Sequence, residues 1–146
     1  MRLPGQRLFL ICALILSGAV TLRSEVDDAQ SYALEVAEPY IKQGFSMRYE
    51  FWDGDLKPGE NKQVRHQLFK GNEYWFWVAT SAEDAEVRVN IYDDKGNLVE
   101  AESWQKDNTA GARLSPAVTG SFIVRVEVTK STDNEPVRWS LAYGYR

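Results

Sequence analysis

The sequence predicts an all-β protein, an antiparallel β-sandwich or jelly roll of about eight strands preceded by one short N-terminal helix. Three observations lead there. From Phe45 onward apolar residues recur with a period of two, the spacing at which a strand turns one face to a core. The 146 residues include five Trp, seven Tyr and six Phe, and large rings suit a pleated surface. Turn chemistry punctuates this rhythm at short intervals with no helical pattern between, which excludes an alternating α/β scheme. A chain of this length supports a single hydrophobic core.

The opening stretch, "MRLPGQRLFLICALILSGAVTLRSE", places Arg2 and Arg7 ahead of an apolar run over 8–16, followed by Ser17, Gly18 and Ala19. That order predicts a secretory signal peptide, residues 1–19, cut after Ala19. The run is shorter than the roughly 20 residues that cross a bilayer, so no stable membrane span is expected after cleavage. Cys12, the one cysteine, leaves with it, and the mature chain is expected to be secreted or periplasmic without a disulfide. Losing Arg2 and Arg7 takes the basic count from 17 to 15 against 21 acidic residues, a formal charge of −6. An acidic chain with no Lys/Arg run suits neither nucleic acid nor an anionic lipid surface, so neither is expected as a partner.

Residues 20–44 form the helical segment. Ala29, Tyr32, Ala33, Val36, Ala37, Tyr40 and Ile41 recur at helical spacing over 25–43, with Asp27 and Asp28 near the start and Gly44 at the stop. Pro39 is expected to weaken the last turn. The β-sandwich domain then occupies 45–146, with strands predicted at 45–52, 63–69, 74–80, 86–92, 98–104, 112–117, 121–129 and 136–145. "DGDLKPGEN" (53–61), "YDDKGNL" (92–98) and "TDNEP" (132–136) supply turns, and "KDNTAGA" (106–112) reads as a longer polar loop.

"NEYWFWVAT" raises the main functional question. Tyr74, Phe76 and Val78 share one face of their strand, and Trp75, Trp77 and Ala79 the other. Both faces are apolar, which fits either a strand covered on both sides or an exposed aromatic platform. On the platform reading Trp52, Trp75, Trp77 and Trp104 are the candidate ligand-binding residues, since large rigid rings carry interface energy at low entropic cost. Trp139 alternates with Val137 and Leu141 and belongs to the core.

Other chemistry is sparse. His66 is the single histidine and shares parity with Val64 and Leu68, so it reads as a hydrogen-bonded core or rim residue and not as a metal ligand or triad base. Glu100 and Glu102 fall on one face of a predicted strand, about 7 Å apart by the strand rise, a spacing compatible with acid/base work. "DGD" (53–55) and "DDKGN" (93–97) place oxygen ligands on loops, but neither matches the twelve-residue calcium loop. No catalytic residue, cofactor or metal site is therefore expected, calcium being the one cation the loops suggest.

Ile91-Tyr92-Asp93, Gly96, Leu98-Val99, Leu114, Pro116, Thr119-Gly120, Phe122, Val124, Val126, Leu141 and Tyr143 occupy matching places in a wider pattern. Over about 63–145 the chain resembles the bacterial pre-peptidase C-terminal domain. The resemblance implies a jelly-roll sandwich that binds or positions and does not catalyse. At the family's acid pair stand Glu83-Asp84, followed by Ala85-Glu86. The expectation is an exported, non-enzymatic binding module for an envelope or extracellular protein or a polysaccharide. The alternatives are a small secreted hydrolase using Glu100 and Glu102, or a purely structural envelope protein.

Overall fold

The structure, a computed structural model, describes residues 24–146, so the expected export segment at 1–19 lies outside the described residues. Helix α1 (Ser24–Lys42) leads into β1 (Ser46–Leu56), β2 (Asn61–Leu68), β3 (Tyr74–Thr80), β4 (Glu86–Asp93), β5 (Glu102–Lys106), β6 (Thr109–Leu114), β7 (Gly120–Lys130) and β8 (Val137–Tyr145). The strands form a five-stranded sheet in the order β1-β8-β3-β6-β5 and a three-stranded sheet in the order β2-β7-β4. Every strand pair is antiparallel. The two-residue rhythm thus builds the sandwich that it predicts, with one helix ahead of it.

Parity sorts the side chains into two cores. Between the sheets lie Phe76, Val78, Val87, Ile91, Val124, Val126, Trp139 and Leu141, all essentially sealed from solvent. On the outer face of the larger sheet, Trp75, Trp77, Ala79, Ala142 and Phe45 pack against Ala33 and Ala37 of α1. The central position of β3 between these layers explains why all seven of its residues are buried. A two-sided apolar strand is what a middle layer requires.

The helix is held at both its face and its end. Ala29, Ala33 and Ala37 are fully buried, and this small-residue stripe lets the backbone approach the tryptophan rings closely. At the C-terminus the Phe45 amide donates to the Tyr40 carbonyl and the Gly44 amide to the Ile41 carbonyl, with Gly44 at φ +99°. These two bonds make a Schellman closure, and the Phe45 and Tyr40 rings supply its hydrophobic contact at 6.2 Å. The helix accordingly runs on past Pro39 to Lys42.

Three local expectations are corrected. The strand expected at 98–104 begins only at Glu102, and Leu98 makes a lone bridge to Tyr92. The polar stretch 106–112 is not a long loop but a tight hairpin, Lys106 pairing Thr109 across Asp107 at φ +52° and Asn108. Asn108 is fixed there by β3: its side-chain amide donates to the Thr80 carbonyl, and the Thr80 amide donates back to the Asn108 carbonyl. In β1, three residues (Tyr49, Glu50, Phe51) stand opposite the single residue Ala142 of β8. This bulge throws Tyr49 out to 86% exposure, although it alternates with the buried Phe45.

Candidate functional site

The four tryptophans picked from the sequence do not form a surface. Trp75 is 5% exposed and Trp77 0%. Both lie under α1, with the Tyr40 ring 4.7 Å from Trp75 and 5.3 Å from Trp77. The reading of Trp75 and Trp77 as ligand contacts is thereby corrected: a covering layer of helix takes the place of a ligand. Trp104 is half-buried on the edge strand β5, where its indole N–H donates to the Tyr40 hydroxyl at 3.0 Å. Its ring packs against Gly111, where a Cβ would come within 2.6 Å, and its remaining surface borders a shallow concavity with Tyr32, Val36 and Asn108 that none of the other three tryptophans lines. Trp52 faces the inter-sheet side, 4.4 Å from the His66 ring and 5.8 Å from Tyr143.

His66 sits where its parity with Val64 and Leu68 puts it, 7% exposed among Trp52, Phe76 and Tyr143. Its Nε2 has no hydrogen-bond partner among the described residues, which departs from the expected hydrogen-bonded histidine. Burial lowers its pKa to about 4, so it is neutral at physiological pH.

The carboxylates are dispersed. Glu100 lies outside β5 and accepts from the Asn90 side chain and the Ile91 amide, each at 2.8 Å. Glu102 accepts from Arg113 at 3.2 Å. The two acids therefore do not share a strand face, and the predicted acid/base pair is not assembled. Asp53 and Asp55 both accept from Arg138. Asp93 caps its own turn through Lys95 and Asn97, bonds that lower its pKa. No group of three His, Cys, Asp or Glu that could hold a metal is gathered among the described residues.

What the fold does assemble is a cleft between the edge strands β1 and β2, at the end where β8 finishes and β3 starts. It encloses about 230 Å³. Tyr74, Tyr143 and Tyr145 contribute rings from β3 and β8, and Phe69 contributes one from the loop after β2. Arg48 enters from β1, and Gln67 and Asn72 bring amides from the opposite side. Tyr143 forms a rigid wall because its other face stacks on Phe76 at 5.4 Å with the planes 14° apart.

Two features give the cleft its polarity. The Arg48 guanidinium lies 5.8 Å from the centroid of the Tyr145 ring, within cation–π range, and has no carboxylate within 4.0 Å among the described residues. The neighbouring Tyr143 and Tyr145 hydroxyls raise its pKa further. The Tyr74 hydroxyl already accepts from the Phe69 amide at 2.9 Å and the Asn72 side chain at 3.1 Å. Its own proton is left to donate.

No family model matches the chain. No curated protein matches it either. Among solved structures it is similar to the periplasmic g-type lysozyme inhibitor PliG of Aeromonas hydrophila, at 11% identity and a TM-score of 0.48, over 71% of this chain and 90% of that one. It is also similar to a de novo designed double-stranded β-helix, at 8% identity and a TM-score of 0.37, over 64% of this chain and 97% of that one.

The sequence reading missed this cleft because its residues come from three separate segments and none forms a motif. Arg48 and Tyr145 are 97 positions apart. One signal was available: the tyrosines of the terminal "LAYGYR" share parity, so Tyr143 and Tyr145 had to line one face.

Proposed function

We propose that the protein is an exported, non-catalytic binding module and that the cleft between β1 and β2 is where it binds. The observation that carries this is the half-open cleft of about 230 Å³, walled by four aromatic rings and edged by Arg48, a cation with no carboxylate partner among the described residues. The volume is below the roughly 300 Å³ at which drug-sized ligand pockets begin, which favours one ring or one anchoring side chain of a larger partner. Tyr and Arg are the residue types that dominate binding energy at such anchors. Phe69 on the cleft wall is 53% exposed, adding apolar contact area at the opening.

The reading keeps export from the N-terminal pattern of residues 1–19 and the non-catalytic binding role from the resemblance to pre-peptidase C-terminal domains. No helix among the described residues is long and apolar enough to cross a membrane. An enzyme is the weaker reading: the lone histidine is buried and neutral, and the predicted pair Glu100 and Glu102 is spent on hydrogen bonds to Ile91 and Arg113.

The test is binding of the full chain to immobilised glycans and to purified envelope proteins, repeated with Phe69→Ser and Tyr145→Ala. Loss of binding in both, with the fold intact by circular dichroism, supports the cleft. Full binding by both sets it aside. Export is checked separately by the mass of the product secreted from a bacterial host, expected to begin at Val20.

A further inference from the structure

The chemistry of the cleft narrows the ligand class. Acidic residues outnumber basic ones 21 to 17 in the chain, yet no Asp or Glu lines the cleft. Instead it presents donors: the Arg48 guanidinium, the free proton of Tyr74 and the amides of Gln67 and Asn72. Such a surface matches a ligand rich in acceptors. A guanidinium held over an aromatic ring is a ready partner for a carboxylate, which it grips through two parallel hydrogen bonds.

The walls select further. Phe69, Tyr143 and Tyr145 offer ring surface over a space the size of one six-membered ring with its substituents, and the buried Tyr74 ring closes the floor behind them. An Asp or Glu side chain is too slender to cover those faces, whereas a pyranose ring has broad C–H surfaces to lay on them and hydroxyls for the two amides. The cleft is half open, so a longer polymer can pass through with one unit seated.

We infer that the cleft binds a hexuronic acid unit of a glycan, with Arg48 on the carboxylate, the aromatic walls on the pyranose ring, and Gln67 and Asn72 on its hydroxyls. This inference rests on the binding role proposed above.

The experiment titrates the full chain calorimetrically with trimers of galacturonate, mannuronate and guluronate, with the methyl ester of whichever binds, and with hexaglutamate. The expected result is that at least one acid trimer binds and that its methyl ester binds at least tenfold more weakly. Arg48→Ala should weaken the acid trimer at least tenfold and leave the ester unchanged, and Arg48→Lys should fall between, because Lys keeps the charge without the two-pronged grip. Equal binding of acid and ester, insensitive to Arg48, overturns the carboxylate while leaving the cleft as a binding site. Tighter binding of hexaglutamate than of any trimer overturns the sugar and keeps the binding role. No binding by any probe, together with cleft variants that behave as the parent on the glycans and proteins tested above, removes both proposals.

Discussion

The molecule carries two aromatic clusters on opposite faces of strand β3, and they have opposite fates. Trp75 and Trp77 of β3 point outward and are sealed by the alanine stripe of α1, with Tyr40 between them. Tyr74 of β3 and Tyr143 and Tyr145 of β8 point the other way and meet the open edge between β1 and β2. The indole rings of Trp75 and Trp77 sit where the helix covers them, with the Tyr40 phenol among them. The phenol rings of Tyr143 and Tyr145 are half-buried where the sandwich stays open and Arg48 joins them. Burial of rings makes the first cluster a source of stability, and the donors at the open edge of the second are what the proposed binding role uses.

That contrast is easiest to break with Trp77→Ala. The side chain is fully buried, and its removal should cost about 3–5 kcal/mol in urea unfolding. A loss below about 1 kcal/mol would mean that the helix is not closed over the sheet.

A pH series probes the inner side of the second cluster, because His66 touches Tyr143, the wall of the cleft. Its pKa is lowered to about 4 from 6.5 by burial. The unfolded chain therefore takes up a proton near pH 6.5 while the folded chain resists it until about pH 4. The stability from keeping His66 neutral is complete above pH 6.5 and is lost as pH falls through that window, by about 3 kcal/mol. His66→Leu should flatten this part of the stability curve relative to the parent. Parallel curves for the two proteins would contradict the burial of a neutral imidazole.

Smaller effects sharpen the picture. Gly44→Ala, at φ +99° in the helix closure, should destabilise by about 1 kcal/mol in thermal unfolding, since Cβ disfavours that region. Arg48→Ala should change stability by less than about 0.5 kcal/mol, because the side chain is exposed and forms no ion pair among the described residues. A large loss there would make Arg48 a structural residue and weaken its place in binding.

The sequence made the layers legible and the open site illegible for a physical reason. Burial on both faces of β3 and one face of β4 and β7 leaves a periodic trace that any reading of "YWFWVAT" or "VRVNI" recovers. The hairpin at Asp107 and Asn108 left none, because Asn108 is held by Thr80, 28 positions away. The bulge that throws out Tyr49 depends on register against β8, which local pattern does not encode. The cleft gathers Arg48, Phe69, Tyr74 and Tyr145 by sheet order alone. The tryptophans drew attention because they are large and adjacent. Those properties report a covered middle strand as readily as a binding platform, and the helix decides between them.

The most direct test of the division between the two clusters is a backbone-amide NMR titration of the full chain with the uronate trimers. The account predicts shifts confined to the cleft segments, residues 46–49, 67–74 and 143–146, with the amides of α1 and the indole signals of Trp75 and Trp77 unmoved. Shifts centred on α1 and β5 with a silent cleft would contradict it.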